Sequence, residues 1–163
     1  MAGNGGGFTM KKKPLEFIKS QNIDAALANN YRQYFTGRFS APDQFFTLID
    51  ANTEVGMSLY RDFTADKPHV HPVCTEFNYV LEGSVRMLLP EAGVEYEFER
   101  GDFYVLRPNT AYATKNFPGT RVLFIKSPGR NDKKLISVDS RIADWLSCWD
   151  ADYIEKRAEC DED

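Results

Sequence analysis

Short runs of strand-forming residues recur about every ten residues along the central part of the chain. They are rich in Val, Tyr, Phe and Leu, and they lie at 77–81, 85–89, 94–98, 103–106, 111–115 and 121–126. The gaps between them carry Gly, Pro or Asn turn signals, at 82–83, 90–93, 100–101, 108–109 and 118–119. This spacing predicts an all-β protein, folded as an antiparallel sandwich or barrel.

The flanking segments have other patterns. Upstream, 45–49 and 55–60 are predicted strands joined by a turn at 50–53. Before them, apolar residues from Leu15 to Phe35 recur at helical spacing, so a helix is predicted over 14–36 and ended by Gly37. Downstream, Asp139 or Ser140 opens a second helix. Its apolar stripe of Ile142, Trp145, Leu146 and Trp149 is expected to cover the barrel or a partner subunit.

These patterns divide the chain into a Gly-rich flexible tail at 1–13, a helical segment at 14–43, a barrel at 44–128 and an extension with a helix at 129–163. The charged end after Lys156 is expected to fray. The first nine residues lack the apolar stretch of a signal peptide.

Composition excludes several classes of protein. The net charge of the 163 residues is −4, with no extended basic face, so nucleic acid is not an expected partner. No apolar run approaches the length of a membrane span. Three widely spaced cysteines do not form a disulfide framework and fit a reducing cytoplasm. Cys74 is interpreted as a spacer, with a thiol ligand or reactive thiol as the alternative.

The only two histidines of the chain are one residue apart, as His69 and His71, and Glu76 follows five positions later. Side chains at i and i+2 of a strand point to the same face. Two imidazoles and one carboxylate are the ligand set of a mononuclear metal site with open positions for a substrate. The alternative is that both are ordinary surface histidines.

The spacing of His69, His71, Glu76 and Gly83 resembles the first signature segment of the cupin superfamily, although Phe63 replaces a glycine usual before it. The second segment is matched at Gly101 and Asn116. There the usual proline, glycine and histidine are replaced, in that order, by Arg107, Asn109 and Tyr112. The resemblance covers about 44–127.

The resemblance implies a small antiparallel jelly-roll barrel, with short flanking helices and a metal in its mouth. It implies one divalent transition metal per chain, iron as first choice and Mn, Ni or Zn as others, held by His69, His71, Glu76 and Tyr112. It also suggests a homodimer. The turn at 82–83 is expected to pair the strands on either side of it, which allows Glu76 to lie across the barrel from the histidines.

Tyr112 stands where cupins with a complete set carry a third imidazole, and three interpretations stay open. The phenol ligates as phenolate, which suits iron(III). It stands off the metal as a proton donor, leaving two histidines and a carboxylate. Or the site has decayed into a pocket without metal.

Strand parity supplies candidates for substrate binding. Asn78 shares a face with Glu76, and Asn116 shares one with Tyr112. Both amides are predicted to hold a ligand or to orient a metal-bound carboxylate, and the alternative is that they satisfy barrel backbone groups at the mouth. Arg61 and Arg86 are predicted anchors for a carboxylate or phosphate if they point inward.

The function predicted from these residues is a metal-dependent enzyme acting on a small polar metabolite. Isomerisation of a sugar or sugar phosphate and non-heme iron oxygenation both fit, with Tyr112 and Glu76 as catalytic residues. The alternative is a non-catalytic sensor or carrier that uses the same pocket. A structural barrel is a weaker third candidate.

Overall fold

The computed structural model describes residues 20–37, 48–49, 52–130 and 132–149, which contain two helices and eleven strands. The helices are α1 (Ser20–Asn29) and α2 (Ser140–Ser147). The strands are β1 (Arg32–Gly37), β2 (Leu48–Ile49), β3 (Glu54–Leu59), β4 (Thr64–Val70), β5 (Thr75–Glu82), β6 (Ser84–Leu89), β7 (Val94–Glu99), β8 (Phe103–Leu106), β9 (Tyr112–Asn116), β10 (Arg121–Ser127) and β11 (Lys134–Leu135).

The strands form two sheets that face each other, in agreement with the predicted jelly-roll barrel. One has the order β2-β1-β3-β10-β5-β8 and the other β11-β4-β9-β6-β7. Their pairings are antiparallel except that between β1 and β2. Because consecutive strands often belong to different sheets, side chains distant in sequence meet between them.

The core lies between the sheets and follows the alternation of strand side chains. In β10, Val122, Phe124 and Lys126 are buried while the residues between them are partly exposed. One apolar cluster joins Val80 and Val85 from opposite sheets. Apolar packing therefore closes part of the interior, and the remaining space receives the polar residues described below.

Strand β9 is buried along its whole length, because α2 covers its outer face. The Asp139 carboxylate caps α2 by accepting a hydrogen bond from the Ile142 amide at 2.8 Å. Ile142 and Trp145 pack on Ala113 and Leu88, and Trp145 is 2% exposed. The expectation that this helix covers apolar barrel surface is confirmed. Strand β9 is thereby held from behind while Tyr112 faces inward.

The helix predicted over 14–36 is wrong beyond Asn29, where the chain turns and Arg32–Gly37 forms β1. β1 pairs with β3 in a register that places Arg32 opposite Ser58. Local periodicity cannot detect a partner strand more than twenty residues away, and here tertiary pairing overrides helical spacing.

The pairing predicted across the turn at 82–83 is also wrong. β5 pairs with β8 and β10, whereas β6 pairs with β7 and β9, so Gly83 carries the chain from one sheet to the other. The predicted tail at 1–13, the start of the predicted helix at 14–19, most of the predicted strand at 45–49 and the predicted frayed end after Lys156 lie outside the described residues.

None of the described helices is long and apolar enough to cross a membrane.

Gly83→Ala is expected to lower the free energy of unfolding by more than the strain of the left-handed backbone at this position would alone. Gly83 has φ +75°, and an added Cβ would lie 2.7 Å from the Thr120 Cα. The left-handed conformation costs a non-glycine residue about 1–2 kcal/mol, and overpacking adds about 1–3 kcal/mol. Chemical denaturation measures the free energy of unfolding.

Gly101→Ala is the matched control, because Gly101 has φ +97° and an added Cβ would meet nothing within 4 Å. Equal losses of stability in the two variants would contradict the close packing of Gly83 against Thr120.

Candidate functional site

A polar cavity opens between the two sheets, with about 680 Å³ of empty space when its open mouth is included. Its walls come from β1, β3, β5, β8 and β10 of one sheet and β4 and β9 of the other. His69, His71, Glu76 and Tyr112 all line it. The four predicted metal-binding residues therefore meet in one place, although they belong to three strands and a loop.

His69 is directly opposite Tyr112 in the pairing of β4 with β9. The register of β4 is irregular between Asp66 and His69, where Pro68 cannot donate a ladder hydrogen bond. In this stretch the carbonyl oxygen of Lys67 lies 2.7 Å from Nδ1 of His69 and accepts its hydrogen. The imidazole is 3% exposed, and burial lowers its pKa to about 4. His69 is therefore neutral, with the lone pair of Nε2 directed into the cavity.

His71 follows the end of β4 and is oriented by Asp132. Nδ1 of His71 lies 2.6 Å from Oδ1 of Asp132, and Oδ2 accepts hydrogen bonds from the backbone amides of Val73 and Cys74. Burial alone raises the pKa of Asp132, but these hydrogen bonds together lower it well below its ordinary value. A carboxylate that holds Nδ1–H leaves Nε2 of His71 facing the cavity, which is the usual arrangement of metal-ligating histidines.

Glu76 reaches the same point from β5, in the opposite sheet. Its Oε2 lies 3.4 Å from Nε2 of His71 and 3.3 Å from the Tyr112 hydroxyl, and its Oε1 accepts a hydrogen bond from Asn78 at 3.1 Å. The Tyr112 hydroxyl also lies 2.9 Å from Nε2 of His69. Burial, followed by the negative charge of Glu76, raises the pKa of Tyr112 well above its ordinary value.

The cluster of His69, His71, Glu76 and Tyr112 has more acceptors than hydrogens. Both Nε2 atoms and Oε2 of Glu76 are acceptors once each Nδ1 carries its hydrogen, whereas Tyr112 supplies a single proton. In the tautomer that carries hydrogen on Nδ1 alone, His71 faces Glu76 across 3.4 Å with no hydrogen between Nε2 and Oε2. Such a pair is stabilised only by a cation or by a further proton.

A divalent metal suits this set of two imidazoles and a carboxylate in ligand type. Ligand atoms about 2.1 Å from a common ion are roughly 3 to 3.4 Å apart, which matches the separations around Glu76. In the described part of the chain, no three His, Cys, Asp or Glu side chains by themselves make a metal-binding group, and the Tyr112 hydroxyl lies between His69 and Glu76.

The two predicted asparagines both line the cavity. Asn78 is bound to Glu76, so it orients the carboxylate. Asn116 lies deeper, where its amide donates to the Thr64 carbonyl at 3.3 Å and contacts the Thr114 hydroxyl at 3.4 Å. Substrate binding by either amide stays a prediction.

The two predicted arginines do not line the cavity, so the inward direction on which their prediction as anion anchors depended is not met. Arg86 alternates on β6 with the buried Val85 and Met87, so it faces outward, where it pairs with Glu97 at 3.7 Å. Arg61 lies after the end of β3 and donates to the Leu27 carbonyl at 2.8 Å. That bond ties α1 to the barrel.

Residues that the sequence patterns did not indicate complete the site. Arg32 and Lys133 line the cavity, and Asp132 holds His71. Arg32 was assigned to a helix, and the segment around Lys133 carries no motif. The clustering of His69 and His71 indicated that other groups should orient the two imidazoles, but it did not identify those groups.

The Cys74 thiol does not line the cavity and donates to the Pro128 carbonyl at 2.8 Å. Burial raises its pKa to about 11, so the thiol stays protonated at neutral pH. This state agrees with the interpretation of Cys74 as a spacer.

Residues 62–125 match the family model described as Cupin domain. No curated protein matches the chain in sequence at a significant level.

Two solved structures share the fold. An uncharacterised conserved protein with a double-stranded β-helix domain from Klebsiella pneumoniae is 15% identical, with TM-score 0.52, over 78% of this chain and 100% of that one. The polyketide cyclase RemF from Streptomyces resistomycificus is 17% identical, with TM-score 0.52, over 74% of this chain and 81% of that one. At these identities the likeness shows the fold alone.

Replacing Asp132 by asparagine is expected to release His71 from a single tautomer and to lower stability. The neutral amide loses a charge-assisted hydrogen bond, which contributes about 1.5–3 kcal/mol. Nitrogen-15 NMR of the imidazoles reports which ring nitrogen carries hydrogen, and denaturation gives the free energy of unfolding. Asp66→Asn is the control, because Asp66 lines the cavity without contacting His71 through a hydrogen bond. An unchanged His71 tautomer in Asp132→Asn would contradict the positioning role.

Proposed function

We propose that this chain is a cupin, because residues 62–125 match the Cupin domain model, and that it is a metal-dependent enzyme acting on a small polar molecule in the cavity between its sheets. A polyketide cyclase shares the fold, but the proposal depends on the side chains of this chain. Reactions of the isomerase type and of the non-heme iron oxygenase type both suit such a site.

The observation that carries the proposal is the shortage of hydrogens around Glu76. His71 Nε2 and Glu76 Oε2 are 3.4 Å apart, and both are acceptors when His71 is neutral. Lys67 and Asp132 hold the Nδ1 nitrogen of each imidazole, so a ring with a single hydrogen cannot turn that hydrogen toward the cavity without losing a hydrogen bond. A resident cation explains why the fold holds three acceptors together.

His69, His71 and Glu76 would hold the metal, which we assign as one divalent transition ion per chain. Two imidazoles and a carboxylate favour iron, and manganese, nickel or zinc also accept such ligands. When bound, the ion would supply Lewis-acid or redox chemistry at the cavity.

Tyr112 is proposed as the proton donor rather than as a ligand. Its hydroxyl contacts His69 and Glu76 only as a donor of its own hydrogen, at 2.9 and 3.3 Å. A substrate oxygen that enters between these groups can take the place of either acceptor. The Tyr112 hydroxyl can then donate its hydrogen bond, and in the reaction its proton, to that oxygen.

Other side chains of the cavity orient these groups. Asn78 fixes Oε1 of Glu76 at 3.1 Å, which leaves Oε2 for the cluster. Met87 and Leu106 form a buried apolar cluster with Tyr112, which excludes water from that side of the phenol.

The Tyr112 contacts also favour a second candidate, a sensor or carrier without turnover. A phenol that bridges His69 and Glu76 partly satisfies the cluster without any metal. In that case the cavity binds its ligand through hydrogen bonds alone. Association into a homodimer and a cytoplasmic location stay predictions.

Protein purified without added metal is expected to contain about one transition-metal ion per chain. The double variant His69→Ala, His71→Ala is expected to lose nearly all of it, because a single remaining carboxylate binds such ions weakly. Elemental analysis of both samples measures the metal. Arg86→Ala, which changes a charge outside the cavity, is the control and should keep the ion. Equal metal content in wild type and double variant would rule out the metalloenzyme, and a ligand-binding but metal-free protein would support the second candidate.

The visible absorption spectrum of the iron-loaded protein tests whether Tyr112 is a metal ligand or a proton donor. An iron(III)–phenolate absorbs visible light, so iron-loaded wild type and Tyr112→Phe are expected to have the same visible spectrum if Tyr112 is a proton donor. Loss of a proton donor lowers turnover by about 10²–10⁴-fold once a substrate is found. A visible band that disappears in Tyr112→Phe would make Tyr112 a ligand and contradict the assignment.

A further inference from the structure

Cationic side chains gather on the part of the cavity wall that lies beside the acceptor cluster. Arg32 reaches it from β1, Lys126 from β10, and Lys133 from the loop before β11. Lys126 is already neutralised, because Nζ lies 2.5 Å from the Glu54 carboxylate. Arg32 and Lys133 are therefore the two cations with capacity for a ligand.

The side chain of Arg32 is held in place, but no carboxylate among the described residues lies within hydrogen-bonding distance of its guanidinium nitrogens. Nε donates to the Ser58 hydroxyl at 3.1 Å, and the guanidinium carbon lies 5.3 Å from the ring centroids of Tyr31 and of Phe124. The nearest carboxylate among the described residues is Asp66, at 3.9 Å from Nη2, which is too long for a hydrogen bond. The side chain keeps 25% of its surface exposed.

Lys133 forms no salt bridge within 4 Å of any carboxylate in the described ranges. It follows Asp132, the residue that holds His71, and precedes β11, whose Lys134 is opposite Val70 of β4. These two attachments fix the backbone of Lys133 next to the metal-binding histidines. Lys133 lines the cavity without an ion-pair partner among the described residues.

We propose that Arg32 and Lys133 form an anion-binding subsite, so that the molecule acted on carries a carboxylate or phosphate group. Arg32 presents the planar fork that matches such oxyanions, and Lys133 supplies a second charge. Asp66, at 3.9 Å from Arg32, is the one carboxylate within 4 Å of either cation among the described residues, so both keep hydrogen-bonding capacity for an anion. The inference deepens the proposed function, because it places the anionic group of the ligand while the acceptor cluster faces its reacting part.

The subsite is tested with two probe anions, inorganic phosphate and succinate, titrated by calorimetry into the full chain as purified and after dialysis against a chelator. Sodium chloride at matched ionic strength corrects for screening. At least one probe is expected to bind saturably in both preparations. Arg32→Gln and Lys133→Gln are each expected to weaken that binding roughly tenfold, because each removes a charge-assisted contact.

Arg61→Gln and Arg86→Gln are matched controls that remove the same charge outside the cavity, and both should bind the probe as wild type does. Lys133→Arg should retain binding. Lys133→Gln keeps the test decisive if Arg32→Gln does not fold, because Lys133 lies at the surface. A preference for phosphate or for succinate identifies the anion. Absence of saturable binding to wild type, unchanged affinity in Lys133→Gln, or equal weakening in the control variants would overturn the proposal.

Metal analysis of the same samples separates the two proposals. If wild type binds the probe but contains no metal, the subsite stands and the metalloenzyme fails. If wild type contains metal but does not bind the probe, the anion-binding subsite fails and the metalloenzyme stands.

Discussion

The candidate site depends on the register between β4 and β9, which places the imidazole of His69 directly opposite the phenol of Tyr112. The ring centroids lie 4.3 Å apart, and the hydroxyl reaches Nε2 at 2.9 Å. A shift of one residue would turn each side chain to the other face of its strand. Helix α2 resists such a shift, because Trp145 and Ile142 pack on the outer face of β9. Packing far from the cavity thus holds the groups inside it.

The second constraint is the small number of hydrogens available to the nitrogen and oxygen acceptors of the site. Lys67 and Asp132 each take the Nδ1 hydrogen of one histidine, and Glu76 brings another acceptor from the opposite sheet. Burial disfavours charge on His69, so extra protons are not readily accepted there. The fold therefore gathers hydrogen-bond acceptors at one point, where a cation, a further proton or a bound ligand can satisfy them. On the neighbouring wall, Arg32 and Lys133 provide the opposite charge, which gives the cavity two ends of different chemistry.

Much of the fold could be predicted from residue patterns, since the strands from 77 to 126 lie almost where alternation and turn residues indicated. The predictions were wrong where the structure of a segment is decided by a strand that is distant in sequence. Arg32–Gly37 has helical spacing but pairs with β3, and the turn at Gly83 crosses between sheets although it resembles a hairpin. Arg86 illustrates the same limit within the site. The prediction that Arg86 could point inward depended on which face of its strand it occupies. Its neighbours Val85 and Met87 point to the buried face, so Arg86 points outward.

The sequence by itself determined that this chain is an all-β barrel and that His69, His71 and Glu76 belong together, because strand periodicity and the spacing of rare residue types are local properties. Only the tertiary structure decided what surrounds them. Arg32 from β1, Asp132 and Lys133 from a loop, and the depth of Tyr112 are fixed by sheet order and by packing between segments separated by up to a hundred positions. Such contacts follow from how the whole chain closes on itself, and no window of neighbouring residues contains that information.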